Sequence, residues 1–244
     1  MNFDLSKKSL TEVNSFLQKI DPKSNQREFV IKNPLGNHAL CAGLQDEVQV
    51  TIKGHVGYYC AGMNKNANII IEGNVGTGVA ENMMSGLVHV KGNASQSAGA
   101  TGHGGTLVID GDASSRCGIS MKGIDIIVKG SVGHMSAFMA QSGNLIILGD
   151  ADEYLGDSIY EAKIYCLGKV KSLGADCIEK EMNEKEIKHL SSILKAQNIK
   201  ADPKKFICIN QALEVNIQKF DQANSQWMKK YKVDFTTMEE SSSI

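Results

Sequence analysis

Apolar and polar residues alternate in a short pattern that returns along residues 50–168. The pattern is marked by glycines about 19 residues apart, namely Gly54, Gly73, Gly92, Gly111, Gly130, Gly149 and Gly168. Apolar residues stand two and four positions before each glycine, as Ile52 and Val50 do before Gly54. A period of two is typical of a β-strand with one buried face. The sequence therefore predicts one short strand ahead of each glycine.

Small residues recur after each glycine as well. The seventh residue after the glycine is always Ala or Gly: Ala61, Ala80, Gly99, Gly118, Ala137, Gly156 and Ala175. Small residues suit a tight corner, because a larger side chain would crowd the turning backbone. A unit this short cannot bury its own apolar side, whereas stacked units bury a continuous core. Since the unit is too short for a pair of helices and lacks a leucine-rich signature, we predict an all-β fold, a parallel β-helix of about seven coils.

Charged residues test this stacking. Their sign alternates at the position directly before the first five glycines: Lys53, Glu72, Lys91, Asp110 and Lys129. In a stack these side chains lie one above another at about 4.8 Å. Opposite charges at that spacing stabilise by about 0.2–1 kcal/mol per pair, and like charges destabilise. The alternation therefore predicts a ladder of ion pairs on the outside of the sheet.

The residues before the repeat predict a cap for its first coil. Ser9 and Glu12 form a capping-box pattern ahead of an apolar helical face, and residues 28–31 predict a strand. A β-helix has unpaired backbone groups at its end coils, which another segment must cover. We therefore assign residues 1–47 to an N-terminal cap and residues 48–175 to the β-helix.

The residues after the repeat, 176–244, predict a helical extension and a polar tail. Four apolar residues of this segment fall on one helical face: Ile187, Leu190, Ile193 and Leu194. An apolar column, with Ile127 and Ile146 among its members, also points outward from the predicted sheet three residues before the glycines. Because contiguous apolar patches seldom stay exposed, we expect the C-terminal helix to lie across this column. A partner protein is the alternative cover.

Composition and charge narrow the class of protein. The chain has 244 residues, a formal net charge of −1 and 42% hydrophobic residues, which suits one compact soluble domain with terminal extensions. The near-zero charge argues against a nucleic-acid surface, and neither a bilayer-spanning stretch nor a signal-like start is present. Six scattered cysteines without a C-x-x-C pair are typical of buried thiols in a reducing compartment. We expect a cytoplasmic location.

Candidate chemistry is sparse. The glycine-rich residues 73–78 make a poor phosphate loop, because no helix follows them to supply a dipole. We therefore predict no catalytic, cofactor-binding or metal-binding residue on this chain. Residues that depart from the repeat five to eleven positions after a glycine are candidates for a partner interface: Glu81, Asn82, His103, Arg116, Met121, Met135 and Met139. Core filling is the alternative role for the methionines.

The non-repeating stretches resemble a known family. They are VGYYCAGMN (56–64), GVAENMMSG (78–86), SSRCGISMKGID (114–125), GHMSAFM (133–139) and LGADCIEKE (173–181). Together with the repeat they resemble the GXGXG domain of the glutamate synthase large subunit, which is a right-handed parallel β-helix. They are most similar to the stand-alone form of that domain in N-methylglutamate synthases, also called methylamine-glutamate N-methyltransferases. The resemblance covers about residues 33–182.

This resemblance implies a three-part enzyme in which the β-helix is structural. One expected partner resembles a class II glutamine amidotransferase, and the other is an FMN-binding, glutamate-synthase-like subunit. FMN is expected on that partner, and whether an iron–sulfur cluster accompanies it is left open. The assembly would convert methylamine and L-glutamate to N-methyl-L-glutamate and ammonia.

Two further interpretations stay open at this stage. The first keeps the scaffold role in a related complex, either a glutamate-synthase-like amidotransferase that uses ammonia or a formylmethanofuran dehydrogenase, which contains a related β-helix. The second, a free-standing polysaccharide-active β-helix, is a different class of function. It requires an acidic cleft, which the sequence does not display.

Overall fold

The predicted strands stack into one sheet of a β-solenoid with about seven turns. The structure, a computed structural model, describes residues 1–21 and 23–212. Its strands are β1 (Asn2–Asp4), β2 (Glu28–Lys32), β3 (Gln49–Lys53), β4 (Asn68–Ile71), β5 (Leu87–Val90), β6 (Thr106–Ile109), β7 (Lys122–Val128), β8 (Ser142–Ile147), β9 (Lys163–Cys166), β10 (Cys177–Lys180) and β11 (Ile207–Gln211). The helices are α1 (Leu10–Gln18) and α2 (Glu184–Ala196), with a 3-10 turn at Pro203–Lys205.

Strands β1 to β9 are parallel and follow one another in chain order. We call the segment that starts at each repeat glycine coil 1 (from Gly54) to coil 7 (from Gly168), and number positions from that glycine as 0. The apolar residues at positions −4 and −2 are buried throughout, with Val50 and Ile52 at 0% exposure. The predicted inward face of the strands is therefore confirmed.

The small residues at position +7 of coils 1–6 have a left-handed backbone conformation as well as little room. Ala61 and Ala137 have φ angles of 57° and 58°, and Gly99 has 68°. A Cβ atom on Gly99 would lie 2.5 Å from Ile126 Cδ1. Positions +5 and +9 share left-handed φ angles and still carry large residues such as Tyr59 and Met63, so the tight packing, and not the conformation alone, explains why only Ala and Gly occur at position +7.

The predicted ion-pair ladder is present for three of its four steps. Lys53 Nζ lies 3.4 Å from a Glu72 carboxylate oxygen. Asp110 pairs with Lys91 on one side at 3.4 Å and with Lys129 on the other at 2.7 Å. The alternating charges therefore do stack in register along the sheet.

Helix α1 covers the turn at residues 39–42, which stacks ahead of coil 1. Ser9 and Glu12 form the capping box that starts the helix. Asn14 Nδ2 donates to the Ala39 carbonyl (2.8 Å), and Asn14 Oδ1 accepts from the Cys41 N–H (2.9 Å). These bonds satisfy backbone groups that have no earlier coil to pair with. Helix α1 therefore caps the N-terminal end of the stack.

Helix α2 covers the outward apolar column over the later coils. Leu190, Ile193 and Leu194 pack with four residues at position −3, namely Val108, Ile127, Ile146 and Tyr165. The expectation that the C-terminal helix covers this column is therefore confirmed for coils 4–7, where position −3 belongs to the strand before the glycine.

Strand β11 was not anticipated. It runs antiparallel between β9 and β10, with Cys208 opposite Tyr165. The polar tail predicted for residues 236–244 lies outside the described residues, which end at residue 212. Within residues 1–21 and 23–212, no helix combines the length and apolar character that crossing a bilayer requires.

Candidate functional site

We searched the described residues for clusters of metal ligands and for reactive cysteine nucleophiles. No group of three or more His, Cys, Asp or Glu side chains is placed to hold a metal ion in that part of the chain. All six cysteines are free, and five of them are buried. Burial raises the pKa of the Cys60 and Cys117 thiols to about 12. Such thiols stay protonated near neutral pH, whereas a nucleophile needs the thiolate.

The polar residues under α2 are held in ion pairs and hydrogen bonds. Glu186, which is 5% exposed, lies 3.0 Å from Lys163 Nζ and 3.2 Å from Lys180 Nζ. Beside it, Asn144 Nδ2 donates to the Asp125 carboxylate (2.7 Å), and burial raises the pKa of Asp125. Glu186 thus ties β9 and β10 to α2, and Asn144 joins β8 to β7 and lies 3.3 Å from His189 Nε2 of α2, which is a structural role.

A second polar group lies on the open part of the sheet. The Asp110 carboxylate contacts His89 Nε2 (2.9 Å) and Lys129 Nζ (2.7 Å). Partial burial raises the pKa of Asp110, but the hydrogen bonds from Lys129 and His89 outweigh it and bring the pKa to about 2. This carboxylate is therefore a permanent anion at neutral pH, and it is unsuited to act as a general base.

An open cleft of about 610 Å³ lies at the C-terminal end of the stack. Its walls include Met182, Ile187 and Phe206 together with Lys180. The Lys180 amine is already paired with Glu186. Glu179, Glu181 and Lys204 also line it, so the cleft has a mixed apolar and charged surface.

The most distinctive surface is formed by the turns at positions +4 to +12 of coils 1–6, which we call the turn face. It comprises residues 58–66, 77–85, 96–104, 115–123, 134–142 and 153–161. Residues at positions +5, +7 and +9 adopt positive φ angles in coil after coil, as Tyr59 (58°) and Met63 (54°) do. The backbone N–H groups of a turn donate hydrogen bonds alternately to the next coil and to the preceding one. The Tyr59 N–H donates to the Thr77 carbonyl, and the Ala61 N–H donates to the Leu40 carbonyl. The turn face is thus a hydrogen-bonded surface and not a set of loose loops.

Large apolar side chains project from this surface. Most of the exposed large hydrophobic residues among those described lie on it: Tyr58 (59% exposed), Met63 (49%), Met84 (48%), Met139 (52%), Tyr154 (48%) and Tyr160 (59%). They come from different coils and are distributed along the solenoid axis. Tyr and Met are enriched at protein–protein interfaces, which makes the turn face the candidate site for a partner.

All seven residues that the sequence singled out lie in the turns of the turn face, and the side chains of six of them reach its surface. Arg116, His103 and Met139 are exposed, and Glu81, Asn82 and Met135 are half-buried. Met121 is different, because it is 0% exposed and belongs to the hydrophobic core. Its position, +10, points inward in every coil of the turn face, as the buried Met83 in coil 2 also shows.

Sequence reasoning missed Tyr58, Tyr154 and Tyr160. These residues lie in the same turns as the candidates: Tyr154 occupies position +5, as do Arg116 and Met135. Their shared positions in the repeat could have identified these tyrosines as turn-face residues. We overlooked them because a tyrosine in a turn departs from the repeat less clearly than a charged residue does.

Comparison with known proteins relates the chain to a curated protein. No protein-family model matches the chain. It is 51% identical over 197 residues to Protein GlxC of Rhizobium meliloti (strain 1021), an alignment that spans 81% of this chain and 86% of that protein.

Proposed function

The chain belongs to the same family as Protein GlxC, and from that premise we propose that it is a non-catalytic scaffold subunit of a flavin-dependent N-methyl-L-glutamate synthase. In this proposal the complex converts methylamine and L-glutamate to N-methyl-L-glutamate and ammonia. The chain joins an amidotransferase-like subunit to an FMN-binding, glutamate-synthase-like subunit. FMN belongs to that partner.

The observation that carries the proposal is a stiff stack whose turn face displays large apolar side chains in coils 1, 2, 5 and 6. Each coil is bonded to its neighbours through strands at positions −5 to −2, a bridge at position +2 and the turn backbone. Such a stack keeps two docking surfaces at a constant separation, which is what a scaffold requires. The resemblance of residues 33–182 to stand-alone GXGXG domains supports the same role, as do the free thiols, which suit a cytoplasmic complex.

The experiment is a reconstitution from three purified chains. The chain alone should show no flavin absorbance and no turnover. Adding both proposed partners should give N-methylglutamate that depends on methylamine, measured by mass spectrometry. Turnover by the isolated chain, or no gain in rate when it is added to the two partners, would overturn the scaffold role.

The nitrogen donor separates this proposal from its nearest alternative. A glutamate-synthase-like complex would use ammonia or glutamine in place of methylamine. The reconstituted complex should therefore be assayed with each donor at equal concentration, with the chain omitted as a control. Preference for ammonia or glutamine would keep the scaffold role and change the reaction.

A further inference from the structure

The turn face differs from the sheet in how its cations are arranged. On the sheet side, Lys53, Lys91 and Lys129 each pair with a carboxylate of a neighbouring coil. On the turn face, Arg116 and Lys122 are exposed and form no ion pair with any described residue. The fold therefore neutralises the cations of one surface and leaves those of the other surface available.

Exposed charges on the turn face are also segregated along the solenoid axis. Exposed cations lie in the earlier coils, with Lys65 in coil 1 and both Arg116 and Lys122 in coil 4, and the carboxylate among them, Glu81 in coil 2, is half-buried. Carboxylates gather in coil 6, where Glu161 is exposed, Asp157 is half-buried, and Glu153 is half-buried and lies 3.1 Å from Lys171 Nζ. A partner with the opposite arrangement would be held in one orientation, because the reversed orientation places like charges together.

Arg116 is the best-placed of these cations. Its φ angle is 59°, its N–H donates to the His134 carbonyl (2.9 Å), and its carbonyl accepts from the Ile119 N–H (3.1 Å). The base of the side chain is therefore held firmly while the side chain itself is exposed. Arg is a frequent hot-spot residue and binds carboxylates through two parallel hydrogen bonds.

Several other surfaces are already covered. Helix α2 covers the sheet over the later coils, α1 covers the turn that precedes coil 1, and β10 with β11 follows the last parallel strand. The turn face, by contrast, continues through coils 1–6, a length of about 24 Å at the usual strand spacing. That length is of the order of the edge of a standard interface patch of about 800 Å².

We propose that the turn face docks a folded partner protein whose surface presents carboxylates to Arg116 and Lys122 between apolar side chains that pack on Met63, Met84 and Met139. This inference rests on the proposed scaffold function and specifies which surface of the chain a partner occupies. The methionines supply adaptable apolar contact area, and Arg116 fixes the position and orientation of the partner.

Footprinting of the native complex tests the surface independently of the partner's identity. The complex is isolated through a tag at the C-terminus and exposed to hydroxyl radicals, beside the isolated chain. Met63, Met84 and Met139 should be oxidised several-fold more slowly in the complex. Met1, which is 55% exposed and lies away from the turn face, is the internal reference and should not change. Equal oxidation of the turn-face methionines in both samples would overturn the proposal.

A charge reversal tests the chemistry of the partner. We expect Arg116→Glu to weaken binding to the subunit on this face about tenfold or more, with a larger effect at low salt. Arg116→Lys should lose less, since it keeps the charge. The matched control is Lys188→Glu on the exposed side of α2, which should stay within about twofold of the wild type. Binding is measured by titration calorimetry against each of the two proposed subunits, and unchanged melting temperatures confirm that the variants fold.

The outcomes separate the two proposals. If the wild-type chain binds a subunit and Arg116→Glu binds it equally well, the docking surface is wrong and the scaffold role stands. If the wild-type chain binds neither subunit, the assembly proposed above is wrong, and the footprint of the native complex still decides whether the turn face is occupied.

Discussion

At the residue scale, position +1 of each coil explains the glycine beside it. The side chain at this position accepts a hydrogen bond from the backbone N–H of the same position one coil later. The Asn93 N–H donates to Asn74 Oδ1 (2.9 Å), and the Asp112 N–H donates to Asn93 Oδ1 (2.9 Å). The column runs through His55, Asn74, Asn93, Asp112, Ser131 and Asp150 and ends at Lys169. A Cβ atom on Gly111 would collide with Asn93 Oδ1, so the repeat glycine makes room for this ladder.

Removing one acceptor should weaken the stack by a single hydrogen bond. We expect Asn93→Ala to lower the free energy of unfolding by about 0.5–1.5 kcal/mol, because the Asp112 N–H then depends on water. Asn93→Ser keeps a neutral acceptor of the kind that Ser131 supplies in the same column and should remain closer to the wild type. Urea unfolding followed by circular dichroism measures the difference. Equal midpoints for the Ala and Ser variants would show that the ladder adds nothing to stability.

Asp110 predicts a pH dependence of known sign. Its pKa is about 2 in the folded protein and about 3.9 in an unfolded chain. A carboxyl group with a depressed folded pKa stabilises the fold above its unfolded value, and this contribution is lost as the pH falls towards 2. The wild type should therefore exceed Asp110→Asn in stability at pH 5, and the gap should close between about pH 4 and pH 2. Urea midpoints measured across this range check it, and a gap that does not change with pH would contradict the depressed pKa.

The sequence predicted the ion pairs of Lys53 and Asp110 because stacking converts spacing along the chain directly into neighbourhood in space. It did not predict the positive φ angles at positions +5 and +9. Residues such as Arg116 and Met63 occur there, and neither type favours that conformation by itself. The hydrogen bonds between coils enforce these positive φ angles. Local residue propensity therefore did not predict which turn residues point outward.

At the scale of elements, the sequence predicted α2 because its apolar residues recur with a helical period. It also predicted the column that α2 covers, because these apolar residues interrupt the polar outer face of the sheet. Strand β11 was not readable in the same way. Residues 206–217 carry mixed strand and helix signals, and the placement of β11 depends on long-range pairing with β9. Burial of Cys208 against Tyr165 and Leu190 decides that placement.

Shortening one side chain of α2 should loosen the helix without unfolding the solenoid. Leu190 is 0% exposed and packs in the cluster that joins α2 to the sheet, so Leu190→Ala should cost about 2–5 kcal/mol locally. Hydrogen exchange should accelerate in α2 and β11 and stay unchanged in β3 to β5. Lys188→Ala, on the exposed side of the same helix, is the control. Faster exchange throughout the stack would show that α2 is part of one cooperative unit with every coil.

At the scale of the whole molecule, coils that stack only on their neighbours should be removable in phase. Deleting residues 73–110 takes out coils 2 and 3 and joins Glu72 to Gly111. The remaining position −1 residues are Lys53, Glu72 and Lys129, so opposite charges still alternate, and His55 Nδ1 takes the place of Asn93 Oδ1 as acceptor for the Asp112 N–H. The cluster beneath α2 loses Val108 and the partly buried Leu87 and keeps its other members.

The shortened chain should therefore fold cooperatively, with a solenoid about 10 Å shorter at two strand spacings. Circular dichroism and urea unfolding report folding, and small-angle scattering reports the change in length. Deleting residues 73–101 instead joins the end of a strand to the middle of a turn, so this variant should fail to fold because its apolar residues no longer face the core. If the in-phase deletion were also unfolded, contacts beyond neighbouring coils would have to hold the molecule together.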